Sequence, residues 1–456
     1  MKKILAIALA LCMVLALCAC GSTAAPAAST TTTEAAPAAP AAPAAPAAPA
    51  EPAASTTTIN LWMYPVGGMG NAEVVDPMVA AFEAANPGIK VNVEYLDYTN
   101  GDDQVNTAIE GGQAPDVIME GPERLVANWG AKGYMLDLSE LLDDQDKAEI
   151  SAAALGACTA PDGAVYEYPM FSVTHCMVIN YDAFVEAGAD QYVDLTTRRW
   201  TTEQFEAAVK ALAEYYGDTV MSVYCGGQGG DQGTRALVTN MYGGTFANPE
   251  HTMYTANCPE NVQALTELQE MQNNNEGVYF DASIVAGDEI QLVRQGILKI
   301  GLCWNAAQQS TGDMTDGGQK LEYMCFPTNE GADPILQGGI WGLGMFDTGD
   351  AARIEAAKAL VKYLCDGEGT KDAVIASTFL PARTAVAGVD INADVFEGND
   401  MLINYVETIA PYLGDYYQIT TNWANARTAW WNALQRIGNG GDVAAELDVF
   451  VAEANA

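Results

Sequence analysis

Residues that could carry out catalysis are scarce in this sequence. The chain has two histidines, His175 and His251, and neither lies in an HExxH, GxSxG or cysteine–histidine motif. The glycine-rich run 226–230 is not followed by a lysine or by a helix start, so it does not predict a phosphate-binding loop. A pair of carboxylates can be found almost anywhere among 59 acidic residues and therefore indicates nothing. The sequence favours a protein that binds a ligand over one that transforms it.

The chain begins with a secretory leader, in which two lysines precede roughly sixteen apolar residues, fewer than the ~20 that span a membrane. The residues Leu17-Cys18-Ala19-Cys20 resemble a bacterial lipobox, which implies removal of residues 1–19 and a lipid on Cys20. The alternative is ordinary signal cleavage that leaves Cys20 an idle thiol. Residues 20–58 are rich in Ala, Pro and Thr and predict an extended spacer. We therefore expect a lipid-anchored protein at the outer face of the cell membrane.

The cysteines show neither a metal pattern nor a disulfide pattern. Of the ten, three lie in the leader and seven in the rest of the chain, without CxxC or metal-like spacing among the seven. Seven is odd, and Cys176, Cys303 and Cys325 sit in apolar runs, where a thiol behaves as a small buried hydrophobe. In an exported protein this favours free thiols and an anaerobic host. The sequence predicts no metal and no cofactor.

Composition limits the class of ligand. The balance of 20 Lys and Arg against 59 Asp and Glu gives a formal charge of −39, which argues against nucleic acids and other polyanions as partners. A neutral or cationic ligand remains compatible with such a surface. The length of 456 residues predicts about two or three domains.

Strand and helix patterns alternate from residue 59 onward. Alternating or buried apolar runs predict strands over 59–64, 89–95 and 115–120, and helical spacing predicts helices over 74–82 and 104–110. This β-α-β-α-β order predicts a parallel sheet flanked by helices, in which ligands gather at the carboxyl ends of the strands. Those ends are Tyr64 and residues 120–124. In the later stretch 163–180, Pro169 predicts a change of sheet or of chain direction, because proline cannot donate to a sheet ladder.

Several motifs, taken in order, resemble those of bacterial extracellular solute-binding proteins of family 1, the maltodextrin-binding-like receptors of ABC sugar importers. The matching segments are 61–62, 82–91, 114–117, 129–139, 168–169, 179–184, 200–205, 242–244, 294–296, 301–304, 338–339, 355–364 and 380–383. The resemblance implies an α/β, two-lobed periplasmic-binding-protein-like (type II) fold, each lobe a sheet flanked by helices, with a hinge between them. It places one lobe at 59–170 and 340–378 and the other at 171–339 and 379–456. It also implies a monomer that meets the transmembrane subunits of an ABC permease.

The resemblance and the strand ends together select the side chains expected at the ligand. Sugar sites combine flat aromatic faces with carboxylates, amides and arginines that take the hydroxyls. The expected ligand-binding residues are Tyr64, Glu120, Glu123, Arg124, Asp231, Gln232, Trp304, Trp341, Arg383 and Trp423. For Trp304, the alternative to ligand contact is packing in the core. For Glu123 and Arg124, the alternative is a solvated surface pair.

The expected function is capture of a sugar or oligosaccharide in the cleft and its delivery to the permease. The alternative is a receptor of the same fold for a polyamine, peptide or other cation, which would need several carboxylates in the cleft instead of tryptophans. An enzyme is not expected. A purely structural lipoprotein would have no use for a closing cleft.

Overall fold

The computed structural model describes residues 56–456 except 99, 228 and 229. The leader 1–19, Cys20 and nearly all of the spacer 20–58 therefore lie outside the described residues. Within the described part of the chain, no helix has the length and apolar character needed to cross a membrane.

Strands and helices alternate along most of the chain. The strands are β1 (Thr57–Met63), β2 (Ile89–Tyr95), β3 (Val117–Glu120), β4 (Tyr168–Thr174), β5 (Cys176–Asn180), β6 (Met221–Tyr224), β7 (Val278–Asp281), β8 (Ile300–Trp304), β9 (Leu321–Met324), β10 (Gly338–Met345), β11 (Leu380–Pro381), β12 (Ala385–Val386) and β13 (Val389–Asp390). The α-helices are Ala72–Ala85, Gly101–Glu110, Pro122–Arg124, Asp144–Glu149, Ala152–Ala157, Tyr181–Glu186, Thr202–Tyr216, Gln232–Tyr242, Pro259–Asn273, Ala286–Arg294, Ala306–Thr311, Ala351–Asp366, Thr370–Ser377, Asn392–Val395, Asp400–Thr408, Trp423–Gly438 and Val443–Ala454.

The first sheet has six strands in the order β11-β4-β10-β3-β1-β2. Strand β1 pairs in parallel with both β2 and β3, so the parallel sheet predicted from the strand–helix order is confirmed. Strand β10 returns much later in the chain and pairs antiparallel with β3 and β4. The carboxyl end of β3 therefore lies beside the middle of β10, which brings Glu120 opposite Gly342.

Local sequence signals account for the helix ends. The side chain of Asn71 accepts a hydrogen bond from the Glu73 amide at the start of Ala72–Ala85. A capping box forms at the start of Thr202–Tyr216, where Thr201 and Gln204 exchange side chain–backbone hydrogen bonds. Gly217 ends that helix in the left-handed conformation, with φ 67°.

After β4 the chain leaves the six-stranded sheet and forms a second set of strands. Strands β8, β5 and β9 form an antiparallel sheet, and β6 pairs in parallel with β7. The buried apolar residues divide into two hydrophobic cores, one around the six-stranded sheet and one around β5–β9 and the helices near the carboxyl terminus. Because the buried apolar residues form two separate cores, the region between the cores can hold polar side chains.

The chain changes sheet at His175. The sequence had instead predicted a change of sheet or of direction at Pro169. Strand β4 continues through Pro169 to Thr174, and β5 begins at Cys176. Pro169 is tolerated inside the sheet because the pairing of β4 with β10 shifts register there, between Trp341 and Gly342. The amide of His175 donates to the carbonyl of Gln337 at 2.8 Å, so the two chain segments that cross between the sheets are hydrogen-bonded to each other.

Arg383 lies in an interior ion-pair network and not in a ligand cleft, contrary to the sequence expectation. Its Nη2 atom is 2.9 Å from Asp146 Oδ1 and 2.5 Å from Glu149 Oε2, and its Nη1 atom is 3.1 Å from Asp366 Oδ1. These three carboxylates offer ligand atoms within 4.8 Å of one another, as a metal site would. The Arg383 guanidinium, together with Lys362, supplies the positive charge there. Arg383 thus compensates the negative charge that these carboxylates bring into the interior.

We expect Arg383→Ala to lower the free energy of unfolding by about 3–5 kcal/mol, because three carboxylates would lose their buried partner. Urea unfolding followed by circular dichroism measures the change. Lys358→Ala is the control: its pairs with Glu140 and Glu355 are exposed, so we expect a change within about 0.5 kcal/mol. Equal effects of the two substitutions would contradict the role assigned to Arg383.

Candidate functional site

A cavity of about 300 Å³ lies between the carboxyl end of β3, the start of β10, the end of β8 and the segment before the helix Trp423–Gly438. We call it the first cavity. Its polar lining comprises Glu120, Glu123, Arg124, His175, Gln232, Asn305, Gln308, Gln418 and Arg427, and its aromatic lining comprises Tyr98, Trp341, Phe379 and Tyr416. The expected site residues Glu120, Glu123, Arg124, Gln232 and Trp341 are thus brought together on one cavity.

One guanidinium organises the carboxylates on the first-sheet side. Arg124 Nε is 2.7 Å from Asp102 Oδ1, and Arg124 Nη1 is 3.1 Å from Glu120 Oε1 and 3.6 Å from Glu123 Oε1. Burial opposes the charge on Arg124, but the carboxylates of Glu120 and Asp102 raise its pKa well above the usual range. Arg124 is therefore a fixed positive charge with its donors directed at three acceptors.

Tyr64 lies behind this cluster and does not line the first cavity. Its hydroxyl donates to Asp102 at 2.5 Å, and its ring stacks on Tyr98 with centroids 5.2 Å apart. The Arg124 guanidinium carbon is 5.2 Å from the centroid of Tyr64 and 5.5 Å from that of Tyr98. Tyr64 therefore holds Arg124 and Asp102 in position, while Tyr98 presents its ring to the cavity.

Burial raises the pKa of two glutamates, Glu120 in this wall and Glu167 close to it. Burial raises the pKa of Glu120 to about 7; the charge on Arg124 lowers it, and Glu123 raises it further. Glu167 is 0% exposed, and neither of its carboxyl oxygens has a hydrogen-bond partner among the described residues. Burial, then the charges on Glu123 and Glu120, raise the pKa of Glu167 well above its usual range.

Asp231 and Arg427 come from the opposite side of the cavity. Asp231 is buried between Arg235, at 2.9 Å, and Arg427, also at 2.9 Å, and it accepts from the Trp431 indole at 3.3 Å. Burial acts to raise the pKa of Asp231, but the charges on Arg235 and Arg427 lower it overall. Asp231 therefore does not line the cavity but fixes Arg427, which does.

Trp341 and Phe379 form an aromatic wall of the first cavity. Their rings are stacked, with centroids 5.3 Å apart and an angle of 14° between planes. A Cβ atom at Gly339 would lie 2.0 Å from the Trp341 ring, so only glycine permits the ring to occupy this place.

A second cavity of about 370 Å³ adjoins the first and shares Glu123, Arg124 and Arg427 with it. The expected site residue Trp423 lines the second cavity, together with Trp431. The Arg427 guanidinium carbon lies 5.3 Å from the Trp423 ring centroid. Trp423 is thus near the predicted ligand region but separated from Trp341 by the charged side chains that both cavities share.

Trp304 is not at either cavity. It is 0% exposed, its indole donates to Gln309 Oε1 at 2.8 Å, and the Arg294 guanidinium carbon lies 4.8 Å from its ring centroid. The ring enters the second hydrophobic core, whereas the neighbouring Cys303 and Asn305 reach the first cavity. The direction of side chains in β8 therefore gives Trp304 a packing role, contrary to the sequence expectation.

Sequence reasoning missed Tyr98, Phe379, Tyr416 and Arg427. The Tyr416 hydroxyl donates to Glu123 Oε2 at 2.6 Å, which joins the segment before Trp423–Gly438 to the first-sheet wall. Arg427 carried a signal that could have been used, because it lies one helical turn after Trp423 and so on the same helix face. Tyr98 and Phe379 lie in connecting segments without any pattern that singles them out.

Residues 77–397 match the family model described as bacterial extracellular solute-binding protein, and this chain belongs to that family. A curated relative, an uncharacterized lipoprotein in the oleD 5' region of Streptomyces antibioticus, is 27% identical over 135 residues. That match covers 30% of this chain and only 29% of the relative.

Solved structures share the fold over most of the chain. An ABC substrate-binding protein of Listeria monocytogenes, in complex with cycloalternan, has a TM-score of 0.68 at 21% identity and covers 88% of this chain and 98% of its own. The cyclic alpha-maltosyl-1,6-maltose binding protein of Arthrobacter globiformis has a TM-score of 0.71 at 17% identity, with the same two coverages. The GacH receptor of Streptomyces glaucescens, studied unliganded and with acarbose, has a TM-score of 0.67 at 16% identity over 87% of this chain and 97% of its own. The expected two-lobed periplasmic-binding-protein type II fold is confirmed.

We expect Glu120→Gln to change how stability depends on pH. A carboxyl whose pKa rises from 4.5 in the unfolded chain to about 7 in the fold contributes stability below pH ~4.5 that is lost as pH rises through ~7. Glutamine has no such loss, so the variant should gain up to about 3 kcal/mol relative to the native chain between pH 5 and pH 8. Urea unfolding at each pH measures this, with the exposed-site variant Glu140→Gln as the control. If the difference in free energy of unfolding between Glu120→Gln and the native chain stayed constant from pH 5 to pH 8, Glu120 would be ionised throughout that range.

Proposed function

We propose that this chain is a sugar or oligosaccharide receptor of an ABC importer, with its ligand in the first cavity. The observation that carries the proposal is the combination of the stacked Trp341–Phe379 wall with amide, carboxylate and guanidinium groups facing it. An aromatic face suits the C–H face of a pyranose ring, and the polar groups suit its hydroxyls. The solved relatives with cycloalternan and acarbose support the same class of ligand.

The charges around the cavity favour a neutral ligand over a cation. The carboxylates of Asp102, Glu123 and Asp231 are paired with the guanidiniums of Arg124, Arg235 and Arg427. Burial raises the pKa of Glu120 and Glu167, which reduces the negative charge left without a partner. A polyamine would need carboxylates in excess of their arginine partners. The ligand's hydroxyls, in contrast, can both donate to the carboxylates and accept from the guanidiniums.

The proposed mechanism is closure of two lobes over the ligand. We assign one lobe to the six-stranded sheet and its core and the other to the sheets β8-β5-β9 and β6-β7, with the hinge at the crossings near His175 and Gln337. The ligand shifts the population toward the closed form by binding it more tightly, and the closed form meets the permease.

The remaining features complete the proposal. A monomer anchored through a lipid on Cys20 at the outer face of the membrane would hold the two lobes near the permease. The relative from Streptomyces antibioticus, which is named a lipoprotein, supports this anchoring. We further propose that the chain releases its ligand unaltered and is not an enzyme.

A thermal-shift screen of residues 54–456, which form one compact unit, against mono- and oligosaccharides tests the ligand class. A ligand that binds only the folded chain stabilises it by ~2.7 kcal/mol at a hundredfold excess over Kd. Polyamines and peptides in the same screen test the alternative. A response to these alone would overturn the proposal in favour of the cation receptor.

Two tryptophan variants then locate the site by titration calorimetry with the sugar that responds. We expect Trp341→Ala to weaken binding more than about tenfold, through loss of the stacking surface. Trp304→Phe should lower the melting temperature but leave Kd within about twofold, because Trp304 lies in the core. The reverse pattern would return the stacking role to Trp304.

A further inference from the structure

We propose that Glu289 is a positioning residue of the first cavity: it holds a β-bulge in β8 that keeps Trp304 out of the cavity. Glu289 lies in the helix Ala286–Arg294 and is fully buried. Its Oε2 atom accepts hydrogen bonds from the amide of Leu302 at 2.9 Å and the amide of Cys303 at 3.1 Å. The effect on the ligand rests on the proposed function, whereas the effect on β8 does not.

The pairing of β8 with β5 contains one extra residue. Val178 lies opposite Gly301, and Cys176 lies opposite Trp304. Between these two pairs the chain takes two steps along β5 and three along β8. The extra residue therefore belongs to β8, at positions 302–303. Two residues of one strand against one of its partner is the pattern of a β-bulge.

The bulge decides which face of β8 carries Trp304. Continued without the extra residue, the ladder would place Trp304 opposite His175. Directly opposed residues of an antiparallel pair point to the same face, and His175 lines the first cavity. With the extra residue, Trp304 lies opposite Cys176 and packs in the second hydrophobic core, and Cys303 lines the cavity. A slip of one residue thus exchanges a large indole for a small thiol at the cavity wall.

Glu289 supplies what this bulge requires from its surroundings. A bulge takes its extra residue out of the regular ladder, and both Leu302 and Cys303 are buried. A buried amide without an acceptor costs about as much free energy as a lost hydrogen bond. One carboxyl oxygen of Glu289 accepts from both amides at once, so the bulge is satisfied from the helix and not from the sheet.

Gly301 lets the helix come close enough for this contact. A Cβ atom at position 301 would lie 3.0 Å from Val293 Cγ2 and 3.6 Å from Glu289 Oε2. Both neighbours belong to the helix Ala286–Arg294, so a side chain there would press the helix away from β8. The same helix contributes Gly287 and Ile290 to the lining of the first cavity. The packing of this helix on β8 therefore sets two parts of the cavity wall together.

The protonation state of Glu289 provides a close chemical mimic for a test. Burial raises the pKa of Glu289 to about 8, and the two amide donors act against that rise. A protonated carboxyl accepts hydrogen bonds through its carbonyl oxygen, as the side-chain amide of glutamine does. Glutamine at this position should therefore keep both hydrogen bonds, whereas leucine would keep neither.

Amide hydrogen exchange of the full chain, followed by mass spectrometry, tests the contact itself. We expect Glu289→Leu to lower the protection of the peptide covering 300–304 at least about tenfold, and Glu289→Gln to preserve it. Gln291→Leu changes an exposed residue of the same helix and is the matched control, with protection equal to that of the parent chain. Unchanged protection in Glu289→Leu would overturn the proposal.

Fluorine NMR of the chain labelled with 5-fluorotryptophan follows Trp304 directly, with its resonance assigned through Trp304→Phe. We expect this resonance to move in Glu289→Leu and to stay in place in Glu289→Gln and Gln291→Leu. A resonance that stays in place in Glu289→Leu would show that Trp304 keeps its core position without Glu289, and would overturn the proposal.

Titration calorimetry with the sugar that responds in the thermal-shift screen measures the consequence for the ligand. Glu289→Leu should weaken binding at least about tenfold, whereas Glu289→Gln should leave Kd within about twofold. Equal weakening in both variants, or an unchanged Kd in Glu289→Leu, would overturn the positioning role. If no sugar binds the parent chain, the proposed function fails, while the exchange and fluorine measurements still decide whether Glu289 keeps Trp304 out of the cavity.

If Glu289→Leu does not fold, Glu289→Asp takes its place in all three measurements. The aspartate carboxyl is one methylene shorter and cannot reach both amides from the same backbone position. We therefore expect changes in the same directions as for Glu289→Leu. Protection, Trp304 resonance and Kd equal to those of the parent chain would then contradict the role of Glu289.

Discussion

The polar wall of the cleft depends on the shared guanidinium of Arg124. Three carboxyl groups, from Asp102, Glu120 and Glu123, approach one cation in a largely buried setting. Without that cation Asp102 and Glu123 would repel each other, and Glu120, whose pKa burial raises to about 7, would be held in its neutral form. The same logic operates on the other side, where Asp231 holds Arg235 and Arg427. Each wall of the cleft can therefore stay polar without leaving an uncompensated charge.

The second constraint on the cleft is the close approach of the backbone of β10 to that of β4. Strand β10 lies between β3 and β4, and a Cβ atom at Gly338 would lie 2.1 Å from the Val173 carbonyl oxygen. Gly338 and Gly339, at the start of β10, thus let this strand pass close beside β4. Gly339 also leaves room for the Trp341 ring to lie over it. The aromatic wall of the first cavity and the crossing between the sheets depend on the same short segment.

Much of the fold was predictable because its signals are local. The parallel order of β1, β2 and β3, the capping box at Thr201 and the glycine-rich strand β10 all follow from spacing within short windows. Glu120, Glu123 and Arg124 were selected because they follow a buried strand, and they do line the cavity. Pro169 misled, because its missing amide is accommodated by a register shift that depends on the partner strand β10.

The sequence by itself determined the class of fold, the acidic surface and the position of one polar wall, since periodicity and strand ends report on neighbours in the chain. Only the tertiary structure decided which long-range partners each side chain meets. In the folded chain, Trp304 packs in a core and Arg383 joins an ion-pair network. Tyr416 contacts Glu123, and His175 contacts Cys303. The physical reason is that side-chain direction in a strand and contact across a crossing depend on pairing between distant segments, which no local pattern records.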